Sequence, residues 1–186
     1  MEIRPKTGKL ERIPLHNLHI QYIPVVTPIR LWNFDMLLKN SPHVEVARSF
    51  QDNGFDMDHL LTTRYVQERI RRRELGMRRW SDKKIREHLK TRYKTFKSLK
   101  KFGYQESKHG DRPIMVLEQP FWRTRFGACN YWLQGREIYN GAGRCMAAYV
   151  LGWETIPVMM CEDKKPGSKD KGKFERKLAK VKGVWG

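Results

Sequence analysis

A chain of 186 residues with a formal net charge of +18 and a pI of about 10.1 is long enough for one domain with a sizeable core, or one domain plus an insertion. That balance points to a polyanionic partner, nucleic acid before anionic membrane. No long apolar run or lipidation signal is present, and Met1-Glu2-Ile3-Arg4-Pro5-Lys6 lacks the apolar centre of a secretory signal. The three cysteines, Cys129, Cys145 and Cys161, and the six histidines match no zinc-ligand, HExxH or disulfide spacing, so reduced, buried thiols in a cytoplasmic protein are expected, with no transition-metal site and no membrane partner.

Ile13-Pro14-Leu15 and the apolar stretch from Ile20 to Val26 read as an opening strand and its extension, broken by Pro14, Pro24 and Pro28. Ser41-Pro42 is an N-cap followed by proline at the first helical position. It predicts a helix over 43–52 with Val44, Ala47 and Phe50 inward and Asn53-Gly54 as its stop. From Met57 to Tyr104 the chain reads as helical and strongly basic. Ser81-Asp82 caps a helix in which Ile85, Leu89, Tyr93, Phe96 and Leu99 recur at spacings of four and three, and Gly103 closes it. Between Arg69 and Lys101, fifteen Lys or Arg stand against three acidic residues, too many for a routine solvated face.

Strand patterns then return. Pro113 to Leu117 is one run, and Asn130 to Leu133 with Arg136 to Tyr139 predict a hairpin around Gln134-Gly135. Next come the turn Asn140-Gly141-Ala142-Gly143, a helix that opens near Arg144, and a strand over Ile156 to Met160. After Asp163 the chain is charged and turn-rich, a solvated linker before a short helix at Phe174 to Val181. Strands and helices mix without regular βαβ alternation, so the expected class is α+β, interrupted by a basic helical insertion.

The glycine turn lets backbone N–H groups and the positive end of a helix converge on an anion, and Arg144 adds a planar fork suited to phosphate. Alone, such a turn is also an ordinary tight connection. In the insertion, Arg71, Arg72, Arg73, Arg78, Arg79, Lys83, Lys84 and Arg86 are candidate nucleic-acid contacts, with Trp80 as a stacking platform. Tyr93 and Phe96 are expected in the core. Arg123 and Arg125, within Phe121 to Phe126, form a second aromatic–basic strip.

The run from Ile138 to Val158 resembles the signature block of the ParB/sulfiredoxin superfamily: a strand, a glycine turn ending in Arg, a helix with paired alanines (Ala147-Ala148), a glycine, and a Thr-Ile-Pro-Val strand. Gly141 and Arg144 occupy the first and last places of that family's Gly-x-x-Arg box. Arg12-Ile13-Pro14-Leu15 and Pro113-Ile114-Met115-Val116 resemble two further strands, so the likeness spans residues 11–55 and 111–162. It implies a small mixed sheet with flanking helices, and nucleotide phosphates held by Asn140, Gly141, Ala142, Gly143 and Arg144. Sulfiredoxins carry a Cys where Ala142 stands, so peroxiredoxin repair is not implied. Pro42-His43-Val44-Glu45 is similar to the Pro-His-x-Glu motif of the free serine kinase branch, which implies Glu45 as general base with His43 beside it. Those kinases carry Asp-Gly-His-His-Arg in the turn; here Asn140 replaces the Asp and could still lend a carbonyl to Mg2+.

Two readings follow. One is an ATP- or CTP-dependent phosphotransferase acting on a hydroxyl of nucleic acid, as phage DNA-modification kinases do on hydroxymethylated pyrimidines; if phage-encoded, it works in the host cytoplasm. The other is a non-catalytic ParB-like DNA-binding protein, with or without CTP as a switch. The expected organisation is an N-terminal part of the domain over 1–56, the basic helical insertion over 57–110, the part bearing the turn over 111–163 and a basic tail over 164–186. The nucleotide, the acceptor hydroxyl and the oligomeric state are left open.

Overall fold

The computed structural model describes residues 3–22, 32–74, 80–105, 113–117, 124–125, 128–130 and 136–163. Strand β1 (Ile3–Pro14) comes first among the described residues and pairs antiparallel with the last described strand, β8 (Thr155–Asp163), so the two ends of the described chain lie side by side. The register shifts between Pro5 and Leu10, around Gly8 at φ +69°. Pro14 ends β1 as expected, and a 3-10 turn (Leu15–Asn17) leads into β2 (Leu18–Tyr22). The remaining strands are β3 (Trp32–Leu37), β4 (Met115–Leu117), β5 (Thr124–Arg125), β6 (Ala128–Asn130) and β7 (Arg136–Asn140).

The sheet order is β1-β8-β4-β7-β2-β3-β6-β5. The pairs β4/β8, β2/β7 and β3/β6 are parallel and the rest antiparallel, so the chain is an α+β protein with a mixed sheet and flanking helices. Of the hairpin expected around Gln134-Gly135, residues 131–135 lie outside the described residues. β7 lies between β2 and β4, so both of its edges are taken, and β6 instead turns back on β5. Two short apolar runs near a glycine satisfy the hairpin pattern, but β7 buries Ile138 by joining the centre of the sheet.

Among the described residues five helices flank the sheet or pack on the helices that do. Helix α1 (Pro42–Asn53) starts where Ser41 Oγ accepts the His43 N–H at 3.2 Å and ends at Gly54, φ +67°. Helices α2 (Met57–Thr62), α3 (Arg64–Glu74) and α4 (Asp82–Phe102) make up the basic region, and α5 (Ala142–Val150) follows the glycine turn. In α4, Ser81 caps the start, Gly103 closes the end, and Ile85, Leu89, Phe96 and Leu99 are buried while Tyr93 is half-buried, as their spacing predicts.

Two apolar clusters meet at α1 and α5. One lies against the sheet and takes Val44 and Ala47 from α1 and Cys145, Met146 and Ala148 from α5. The other takes Val46 and Phe50 from the opposite side of α1 and Ala147 from α5, and packs them on α2, α3 and α4. Residues three and four apart on α1 therefore serve both clusters, and the basic helices sit on the domain through a shared apolar wall. Burial pushes the Cys145 thiol up to about 12, consistent with a core residue. The sequence after Asp163, including the expected short helix, lies outside the described residues.

Candidate phosphate site

Strand β7 ends at Asn140 and the chain turns into α5 through Gly141, at φ +91° in the left-handed region. A Cβ there would fall 2.8 Å from Ile114 Cγ1 and 3.1 Å from Ile114 Cα, so the turn requires glycine both for its backbone angle and for lack of space. No side chain caps α5 and no acidic residue lies in its first turn. The Gly141 carbonyl accepts the N–H groups of Arg144 and Cys145, at 2.9 and 3.1 Å, and the N–H groups before them are the ones a helix start leaves without an intrahelical acceptor. Gly143 faces open space, with nothing within 4 Å of a Cβ built on it.

Arg144 folds back over this turn, its Nη2 3.1 Å from where a Gly141 Cβ would be. The guanidinium is half-buried, and its Nη1 is buried with no hydrogen-bond partner among the described residues. Burial holds it below the usual arginine range, while the Tyr104 phenol and the Cys145 thiol act the other way. Tyr104 also lines a cleft of about 430 Å³ with Arg12, Trp153, Glu154, Thr155 and Pro157. Helix start, open glycine and an arginine with no carboxylate partner among the described residues together make a cationic, donor-rich site.

Glu45 stands in the first turn of α1, where the sequence places it, but its carboxylate is engaged. Oε2 accepts the Arg64 backbone N–H at 2.9 Å and Oε1 pairs with the Arg64 guanidinium. Glu45 thereby holds the start of α3. His43 bonds through Nδ1 to Ser41 Oγ at 2.8 Å and lies against Tyr65, with ring centroids 4.5 Å apart.

The expected nucleic-acid residues divide. Lys83, Arg86, Lys90, Lys94, Lys97 and Lys101 recur at spacings of three and four on α4 and are all exposed, forming a basic stripe along a 21-residue helix, opposite its apolar one. Lys84 and Arg71 are exposed as well. Arg73 instead pairs with Asp82 at 2.6 Å, and Arg72 is half-buried. Trp80 is half-buried with Arg69 over its ring at 4.0 Å, so an intramolecular cation uses that face. Arg78, Arg79 and Arg123 lie outside the described residues. Arg125 falls in β5, where only the backbone is described.

A polar cluster that no sequence motif marks lies between α3 and α4. Arg92 Nε donates to His88 Nε2 at 2.7 Å, so that nitrogen carries no proton. The Tyr65 hydroxyl lies 2.8 Å from the same nitrogen and accepts from Arg69. Two i,i+4 pairs, Tyr65/Arg69 and His88/Arg92, were the available signal, hidden by the density of basic residues around them. Burial and then Arg92 hold His88 down at about 3 and His43 well below its usual value. Both stay neutral in the fold while the unfolded chain takes protons. The His88 contribution is complete above about pH 6.5 and is lost as pH falls towards 3, and that of His43 runs in the same direction. His88→Gln should therefore flatten the fall in Tm between pH 6.5 and 4 in thermal melts; an unchanged slope would remove His88 as its source.

No family model, curated protein or solved structure matches the chain.

Proposed function

We propose that the protein binds a nucleoside triphosphate, ATP or CTP, at the Gly141–Arg144 turn and passes its terminal phosphate to a hydroxyl carried by nucleic acid, as the resemblance to the ParB/sulfiredoxin superfamily and its DNA-modification kinases implies. The observation that carries the phosphate half is Arg144, which bends over a tight glycine turn with a buried Nη1 that has no hydrogen-bond partner among the described residues, while Gly143 in the same turn faces open space. The aromatic-lined cleft that shares Tyr104 is wide enough for a base. The basic stripe of α4 supports a polynucleotide substrate, since six regularly spaced cations match a phosphate backbone.

In this reading the first N–H groups of α5 and the Arg144 fork hold phosphate oxygens and disperse the charge that builds up on transfer. Glu45, once released from Arg64, takes the proton of the attacking hydroxyl. Asn140 is the one oxygen-donor side chain of the turn, and no three His, Cys, Asp or Glu gather as a metal group among the described residues. That donor set fits an Mg2+ carried mainly by phosphate and water, with Asn140 as a single protein ligand, rather than an ion held by protein alone.

One observation favours a non-catalytic, ParB-like DNA-binding protein: both oxygens of Glu45 are bound by Arg64. The two readings separate when the protein is incubated with γ-labelled ATP or CTP and DNA containing 5-hydroxymethyluracil or ordinary bases. Label transferred to DNA is the expected result. Tight DNA binding without transfer under either nucleotide would leave the non-catalytic reading.

The stripe has its own test. Replacing Lys83, Arg86 and Lys90 by Gln should reduce the slope of log affinity against log salt by about 2–3, because each phosphate contact on duplex DNA contributes about 0.9. An unchanged slope would move the DNA to another surface.

A further inference from the structure

A second cationic site lies in the cluster between α3 and α4. Arg69 sits between two aromatic faces, with its guanidinium carbon 4.3 Å from the Tyr65 ring centre and 4.0 Å from that of Trp80. Arg92 lies over the same Tyr65 ring at 4.8 Å. These cation–π contacts hold both guanidinium groups over aromatic faces before any ligand arrives. His43 borders Tyr65 and His88 borders Trp80, the latter with centroids 5.1 Å apart.

What the cluster lacks is an anion. Among the described residues neither Arg69 nor Arg92 forms an ion pair with a carboxylate, and Arg69 Nε is buried with no hydrogen-bond partner. Glu68, on the same helix as Arg69, pairs with neither arginine, and burial pushes its carboxyl up to about 7 against the pull of Arg72 and Arg69. The hydrogen bonds the guanidiniums do make go to neutral groups: the Tyr65 hydroxyl, a neutral imidazole and the Met146 sulfur. Two half-buried cations around one ring repel each other, and a buried charge without a counter-ion is costly, so the arrangement is complete only with a negative group present.

From this geometry we infer that Arg69 and Arg92, aligned by Tyr65 and Trp80, form a phosphate-binding site distinct from the Gly141–Arg144 turn. Phosphate suits it better than carboxylate, because two forks offer more donors than two oxygens accept. The phosphate can be an internal phosphodiester of a polynucleotide or a terminal phosphate. The Arg92–Met146 contact sets the site against α5, one helical turn past the start of that helix. It does not depend on the function proposed above.

The test is thermal unfolding in about 10 mM inorganic phosphate against chloride at equal ionic strength. For a site of about millimolar affinity the wild type should gain roughly 2–5 °C. The double variant Arg69→Gln/Arg92→Gln should reduce that gain, and should do so by the same amount in an Arg144→Gln background, where the glycine turn no longer contributes. If the double variant does not fold, Arg69→Gln alone decides by the same criterion. A phosphate gain undiminished in the cluster variant, or lost only in Arg144→Gln, overturns the site. With oligonucleotides, a tenfold or greater preference of the wild type for a 5′-phosphorylated strand, absent in the variant, assigns a terminal phosphate. An equal loss for phosphorylated and unphosphorylated strands assigns the internal backbone. Equal binding of both strands by wild type and variant overturns the site.

Discussion

Glu45→Gln is expected to lower phosphoryl transfer to DNA by roughly 10²–10⁴-fold, the range contributed by a positioned general base. The substitution is mild for the fold. Gln keeps an oxygen that can accept the Arg64 N–H, and the lost ion pair is partly exposed, at 66% and 28% side-chain exposure for Arg64 and Glu45, so it contributes little to stability. Arg64→Ala gives the opposite comparison, since it frees Oε1 and leaves the carboxylate in place. A catalytic Glu45 predicts transfer maintained or raised in Arg64→Ala and lost in Glu45→Gln, with both proteins melting near the wild type. If instead Glu45 serves only to hold the start of α3, Glu45→Gln and Arg64→Ala will both leave transfer unchanged and Glu45→Ala will lower Tm. Single-turnover assays beside melting curves distinguish the two outcomes.

Gly141→Ala should destabilise the protein by about 2–4 kcal/mol, combining the left-handed backbone penalty of ~1–2 kcal/mol with overpacking against Ile114. For a chain of this size that corresponds to a Tm lower by roughly 5–15 °C. The clash is with the Cα as well as the side chain of Ile114, so it cannot be relieved by a rotamer change alone. Gly143→Ala separates fold from site. A Cβ there meets nothing within 4 Å and lies inside α5, so helix propensity alone should leave stability unchanged or raise it by up to ~1 kcal/mol. If the open space at Gly143 admits phosphate, the same substitution should weaken nucleotide binding. Unchanged nucleotide binding in a stable Gly143→Ala protein would place the phosphates elsewhere.

The features legible in the chain are those set within one or two turns of backbone. Ser41, Ser81, Gly54 and Gly103 mark helix ends because caps depend on neighbours within a few residues. The apolar stripe of α4 is readable because helical period alone sorts Ile85, Leu89, Phe96 and Leu99 inward and the lysines outward. The glycine turn is readable for the same reason: its backbone angle and its place before a helix are local.

Tertiary structure decided what separated segments do to each other. Whether Arg136 to Tyr139 joins a hairpin or the middle of the sheet depends on β2 and β4, both distant in the chain. Glu45 meets Arg64 nineteen residues away, a pairing that no spacing within α1 encodes. Arg69 and Arg92 read in sequence as two of fifteen similar charges between Arg69 and Lys101. Packing α3 against α4 sets them around one tyrosine with no carboxylate partner among the described residues, because burial and partner choice are properties of the assembled core and not of any one helix.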